Sequence, residues 1–146
     1  MTKAVNNFGG GTASATVTTG NSGGTSGDAF DNVVIGTGAY LDYDDDPVHL
    51  GPLSARFHTD STAAQAYVEY DSTTLGSLST VYGRFYLYIG TAPSNAFNLV
   101  RLRDASNDTL ASIELGTDLK LRNREGQAGG FSVLATAPSA LPTGQW

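Results

Sequence analysis

The chain holds no cysteine, so it has no disulfide framework, no thiolate zinc site and no cysteine nucleophile. It has no apolar run near the roughly 20 residues that cross a bilayer as a helix, which argues against membrane insertion. Positive charge is scarce: eight Lys and Arg face 14 Asp and Glu, for a net charge of −6. A nucleic-acid binder needs a basic footprint, so nucleic acid is disfavoured as a partner, and an anionic membrane surface with it. No segment keeps a helical period beyond a turn or two. The N-terminus lacks the apolar stretch of a secretory signal. The expectation is a protein made in the cytoplasm, trimmed, or released by another route, and a virion protein freed by lysis fits the last.

What the chain does have is glycine, threonine, serine and tyrosine in quantity. Its 146 residues amount to one ordinary domain, and a hydrophobic fraction of 40% supplies a core. Eighteen glycines and seven tyrosines, with turn signals between short β-prone runs, predict an all-β, antiparallel two-sheet sandwich of ten or so strands.

The strongest pattern spans residues 80–104. In its first arm Val81, Phe85, Leu87 and Ile89 share one parity, and Tyr82, Arg84, Tyr86 and Tyr88 share the other. Side chains alternate across a strand, so 80–89 reads as an apolar face backed by an aromatic, cationic one. A Gly-Thr-Ala-Pro-Ser connector leads to a second arm at 95–104, and the two together predict a central hairpin. Tyr82, Arg84, Tyr86 and Tyr88 are the candidate contact residues. They suit either a sugar ring, through stacking and phenolic hydrogen bonds, or a protein partner, since interfaces are enriched in Tyr and Arg.

Elsewhere, residues 1–27 read as a Gly/Thr-rich extended arm, with a first edge strand at 15–19 and then a flexible loop. Residues 28–146 form the sandwich, with further strands expected at 33–35, 39–43, 53–57, 65–71, 109–115, 119–123 and 131–136, and a polar loop at 124–130. Trp146 opens what reads as another strand, so the sandwich is expected to lack its last strands in this chain.

Three groups of polar residues invite chemistry. Asp42, Asp44, Asp45 and Asp46 crowd into five positions, where carboxylates repel unless solvated or bridged by a cation, and calcium is the candidate ion. The helix-loop-helix calcium motif itself fails, with Pro47 where glycine belongs and Leu53 where glutamate belongs. Glu69 and Asp71 lie two apart on a predicted strand. His49 and His58 have no paired-ligand spacing, and Ser54 lacks a nucleophile-elbow context.

The stretches at 27–31 (Gly-Asp-Ala-Phe-Asp), 41–43 (Leu-Asp-Tyr), 49–57, 80–89 and 141–146 follow one another in an order that resembles the concanavalin A-like lectin/glucanase superfamily. The resemblance is specifically to its laminin-G-like jelly rolls, of the kind found in bacterial surface and phage structural proteins. It implies two antiparallel sheets packed face to face, and it implies calcium at a sandwich rim in some members. In the glucanase branch it also implies a Glu-x-Asp-x-x-Glu strand. Here Glu69 and Asp71 match its first two carboxylates but Thr74 stands at the third, which points away from an enzyme. The expected role is a non-enzymatic structural or adhesion module on a particle surface, a phage decoration, minor capsid or tail component. The alternative is a carbohydrate-binding module of a bacterial surface or secreted protein. Expected partners are other virion or surface-protein subunits, further copies of the chain, and a cell-surface glycan.

Overall fold

The computed structural model describes residues 3–60, 64–77, 79–127 and 130–146. The protein is all-β, with open antiparallel sheets and, among the described residues, one four-residue helical turn. It divides into two compact units, Met1–Tyr86 and Leu87–Trp146.

In the first unit β1 (Asn32–Ile35) pairs antiparallel with β4 (Ala66–Glu69), and β2 (Ala39–Asp44) pairs antiparallel with β3 (Ser54–Thr59). One hairpin is thus nested inside a wider one, and both small sheets send side chains into a shared core. Alternation dictates which residues go there. Leu41 and Tyr43 of β2 are fully buried with Val17; Phe30 and Leu53 are buried beside them, and Val33, Ala55, Ala66, Val68 and Tyr70 pack around the cluster. The intervening Tyr40, Asp42 and Asp44 are left on the outer face.

The Gly/Thr-rich N-terminal stretch is fastened to this unit. Val17 N donates to Leu41 O at 2.9 Å and Tyr43 N to Ala15 O at 2.9 Å, so residues 14–17 run antiparallel along β2, in keeping with an edge strand. The glycine-rich run that follows, expected as a flexible loop, is stapled by polar side chains. Asn6 Nδ2 donates to Ser22 O and Asp28 O at 2.6 and 2.8 Å, and the buried Ser26 hydroxyl accepts from Gly10 N at 2.6 Å. The buried Ser22 hydroxyl accepts from Phe30 N at 3.1 Å. Short polar side chains bond readily to nearby backbone, which holds a loop without a hydrophobic anchor. Gly27 takes a φ of 114° against the Val5 carbonyl, where no side chain fits.

The second unit is a four-stranded meander: β5 (Phe97–Arg103), β6 (Thr109–Leu115), β7 (Leu121–Gln127) and β8 (Gly130–Thr136), paired in that order. Its buried residues include Leu115 and Ile89. The Asp104 carboxylate accepts from Ser106 N and Asp108 N, both at 2.9 Å, to turn the chain between β5 and β6. Asn107 supplies the left-handed φ of 68° that this turn needs.

Two sequence expectations are corrected here. Residues 80–89 form no strand among the described residues, and β5 pairs with β6 rather than with that arm. Alternation makes a segment able to pair but does not by itself secure a partner, and Gly83 in its middle weakens extended structure. Of the loop expected at 124–130, residues 124–127 are strand, because β7 runs on to Gln127 with Arg124 and Glu125 paired to both β6 and β8, and Gly130 opens β8; residues 128 and 129 lie outside the described residues.

Candidate functional site

The tyrosine set separates. Tyr82, Arg84 and Tyr86 belong to the first unit and Tyr88 to the second. Within the first unit Tyr82 is 87% exposed, and Val81, Phe85 and Tyr86 are about half exposed. The Arg84 guanidinium lies 5.6 Å from the centre of the Tyr86 ring, and His49 stacks on that ring at 4.0 Å and 20°. In the second unit Tyr88 meets Trp146 at 5.5 Å. The structure therefore joins Arg84 to Tyr86 and adds His49, which no spacing in the sequence links to either.

A second cluster of the same composition lies on the outer face of β2 and β3. The register sets Tyr40 opposite His58 and Asp42 opposite Arg56. Tyr40 and His58 stack at 4.5 Å and 13°, and the Arg56 guanidinium sits 5.3 Å from the Tyr40 ring centre. Arg56 also pairs with Asp44 Oδ2 at 3.0 Å, and His58 Nε2 meets Asp60 Oδ1 at 2.5 Å. Each histidine of the chain is thus stacked on a tyrosine that also carries an arginine. Cation–π and ring stacking hold such side chains in place at a surface, where each contact is worth about 0.5–1 kcal/mol. The signal was present as parity: Tyr40, Asp42 and Asp44 alternate, as do Arg56 and His58. Only the strand register brings the two sets together.

The aspartates 42–46 are not drawn into one cage. Asp42 accepts from the Thr16 hydroxyl at 3.1 Å, Asp44 holds Arg56, and Asp46 N donates to Asp44 Oδ1 at 3.1 Å. Among the described residues no three His, Asp or Glu side chains gather as a metal-holding group.

Glu69 and Asp71 also part company, because β4 ends at Glu69. Glu69 accepts from Asn32 Nδ2 at 3.2 Å. Asp71 instead caps α1 (Ser72–Leu75), its Oδ1 accepting from Thr73 N at 2.6 Å. That backbone hydrogen bond holds the Asp71 carboxyl below the usual range. Asp118 is lowered in the same way, first by Lys120 N and then by Arg122, whose Nη2 lies 2.9 Å from Oδ2. Groups depressed in the folded state stabilise it above the ordinary carboxylate pKa of about 4, and lose that contribution as pH falls through the lower folded values. Asp71→Asn and Asp118→Asn are expected to flatten the pH dependence of stability below about pH 4 relative to the parent. Urea midpoints across that window check this, and an unchanged slope in both variants would refute it.

Comparison with protein-family models, curated proteins and solved structures finds no match for this chain.

Proposed function

We propose that the chain is a non-enzymatic structural or adhesion module of a particle surface, a virion component with a lectin-like, jelly-roll-related fold. The observation that carries this reading is the segment at 81–86. Val81, Tyr82, Phe85 and Tyr86 present large apolar and aromatic surface to solvent outside any strand, next to Arg84. Contiguous exposed apolar surface marks contact sites, and Tyr with Arg is the composition of strong contact residues. The wider balance supports the same reading. Among the described residues, exposed large hydrophobic side chains outnumber buried ones, as fits a subunit that completes its packing against others.

The test is multi-angle light scattering over a concentration series. The parent chain is expected to form multi-copy assemblies. Tyr82→Asp with Phe85→Asp is expected to reduce them to a small species, with the circular dichroism of the parent. A parent chain that stays small at every concentration would overturn the reading.

A carbohydrate-binding role draws on one further observation, the Tyr40, Arg56 and His58 cluster with its neighbouring carboxylates on an exposed face. Glycan capture by the small species, abolished in Tyr40→Ala, is the outcome of the same preparation that would favour it.

A further inference from the structure

We propose that β8 pairs edge to edge with β8 of a second copy of this chain, so that two four-stranded meanders join into one eight-stranded antiparallel sheet. The inference does not rest on the segment at 81–86.

The state of the strand is the first argument. Among the described residues β8 hydrogen-bonds only to β7, so its other edge is open. Residues 132–136 are all exposed, including Val133 at 52% and Leu134 at 59%. A strand with one open edge and apolar side chains in solvent is a template for another strand.

Charge distinguishes the two ends of the sheet. Sheet edges are ordinarily guarded by charged side chains and bulges. The β5 edge has such guards: Arg101, Arg103 and register shifts near both of its ends. In β8 the only guard is the bulge that leaves Leu134 without a partner in β7, and no charged residue occurs anywhere in 126–146.

Charge also selects a second copy as the occupant. Residues 87–146 hold five Lys or Arg and five Asp or Glu, whereas 1–86 hold three and nine. The whole excess of −6 therefore lies in the first unit. Two second units approach each other with balanced charge and an uncharged edge.

Beside β8 on the sheet face lies an open concavity of about 430 Å³, lined by Ile113, Leu121, Asn123, Ala135 and Ala137 among others. A two-fold axis makes the edge-to-edge contact isologous and self-limiting, giving a dimer.

The Cys-free sequence allows a direct test. Single Val133→Cys and Leu102→Cys variants of the full chain, each carrying the Tyr82→Asp and Phe85→Asp changes, are labelled with a nitroxide and measured by pulsed electron–electron distance spectroscopy. Edge pairing puts residue 133 within about 15 Å of its counterpart, one strand spacing plus a few residues of register. Residue 102, seven strand spacings from its counterpart, falls at about 34 Å. Ser132→Lys with Val133→Lys, which faces like charges across the two-fold, is expected to weaken the dimer at least about tenfold by sedimentation. A monomer at spectroscopic concentration, or a short distance at 102 with a long one at 133, would overturn the proposal. Neither result would bear on the assembly role of 81–86, because the labelled protein already lacks that surface.

Discussion

Tyr43→Ala is expected to destabilise the first unit by about 3–5 kcal/mol, the range for removing a buried aromatic ring when the site cannot collapse. The site is held from every side. The ring is fully buried among Val17, Phe30, Leu41 and Leu53, and Phe8 approaches it edge-on at 6.4 Å. Gly11 passes so close that a Cβ there would overlap the ring, so the N-terminal stretch is shaped around this side chain. The hydroxyl donates to Asn21 O at 2.8 Å, and burial raises its pKa. Tyr43→Phe separates the contributions: it keeps the ring and leaves one carbonyl without its donor, for about 1–2 kcal/mol. Because the chain's one tryptophan, Trp146, lies in the second unit, its fluorescence does not report this core. Hydrogen exchange at Val17 and Leu41, whose amides lie in or against β2, does. A loss below about 1 kcal/mol for Tyr43→Ala would mean that the cavity closes and that the core is looser than its packing implies.

What was legible in the sequence and what was not divides along the distance between interacting residues. The runs at 39–44 and 109–115 announce themselves, because alternation between turn signals is local and each became a strand within a residue of its expected bounds. The same local pattern misleads at 80–89. Val81 and Phe85 share an apolar parity there, but alternation confers only the capacity to pair: Gly83 interrupts the run, and β5 pairs with β6 and not with this arm. The N-terminal stretch misleads in the opposite direction. Its glycines and serines look loose because hydrophobic pattern is what sequence reading weighs, whereas Asn6, Ser22 and Ser26 fix it through polar atoms. The aromatic clusters lie between these cases. Tyr40 falls within the strand expected at 39–43 and His58 just past the one expected at 53–57, and their stacking depends on a register that no single strand encodes. Asp71 shows the limit of spacing arguments: two carboxylates at i and i+2 share a face only while the strand lasts, and here it ends at Glu69.

Gly126→Ala is expected to cost the second unit about 3 kcal/mol or more, the upper end for forcing an atom into packed structure. Gly126 sits in β7 where a Cβ would overlap the carbonyl oxygen of Thr109, the first residue of β6. That oxygen belongs to the strand backbone and cannot swing aside as a side-chain tip does. Relief requires β6 and β7 to separate or slip at this end, which disturbs the pairing of Ala111 with Glu125. A slip by one residue would turn alternating side chains to the opposite face, including the buried Leu115. Gly116→Ala provides the contrast. Its Cβ would also collide, but with the ends of the Arg122 and Asp118 side chains, which can rotate at the cost of a surface ion pair. That change is expected to cost no more than about 1 kcal/mol. Trp146 packs on Tyr88 within the same unit, so urea titrations followed by tryptophan fluorescence read both variants directly. A parent-like midpoint for Gly126→Ala would show that the two strands have more room than this register allows. Equal losses for the two variants would show that the Arg122 and Asp118 turn is as rigid as the sheet itself.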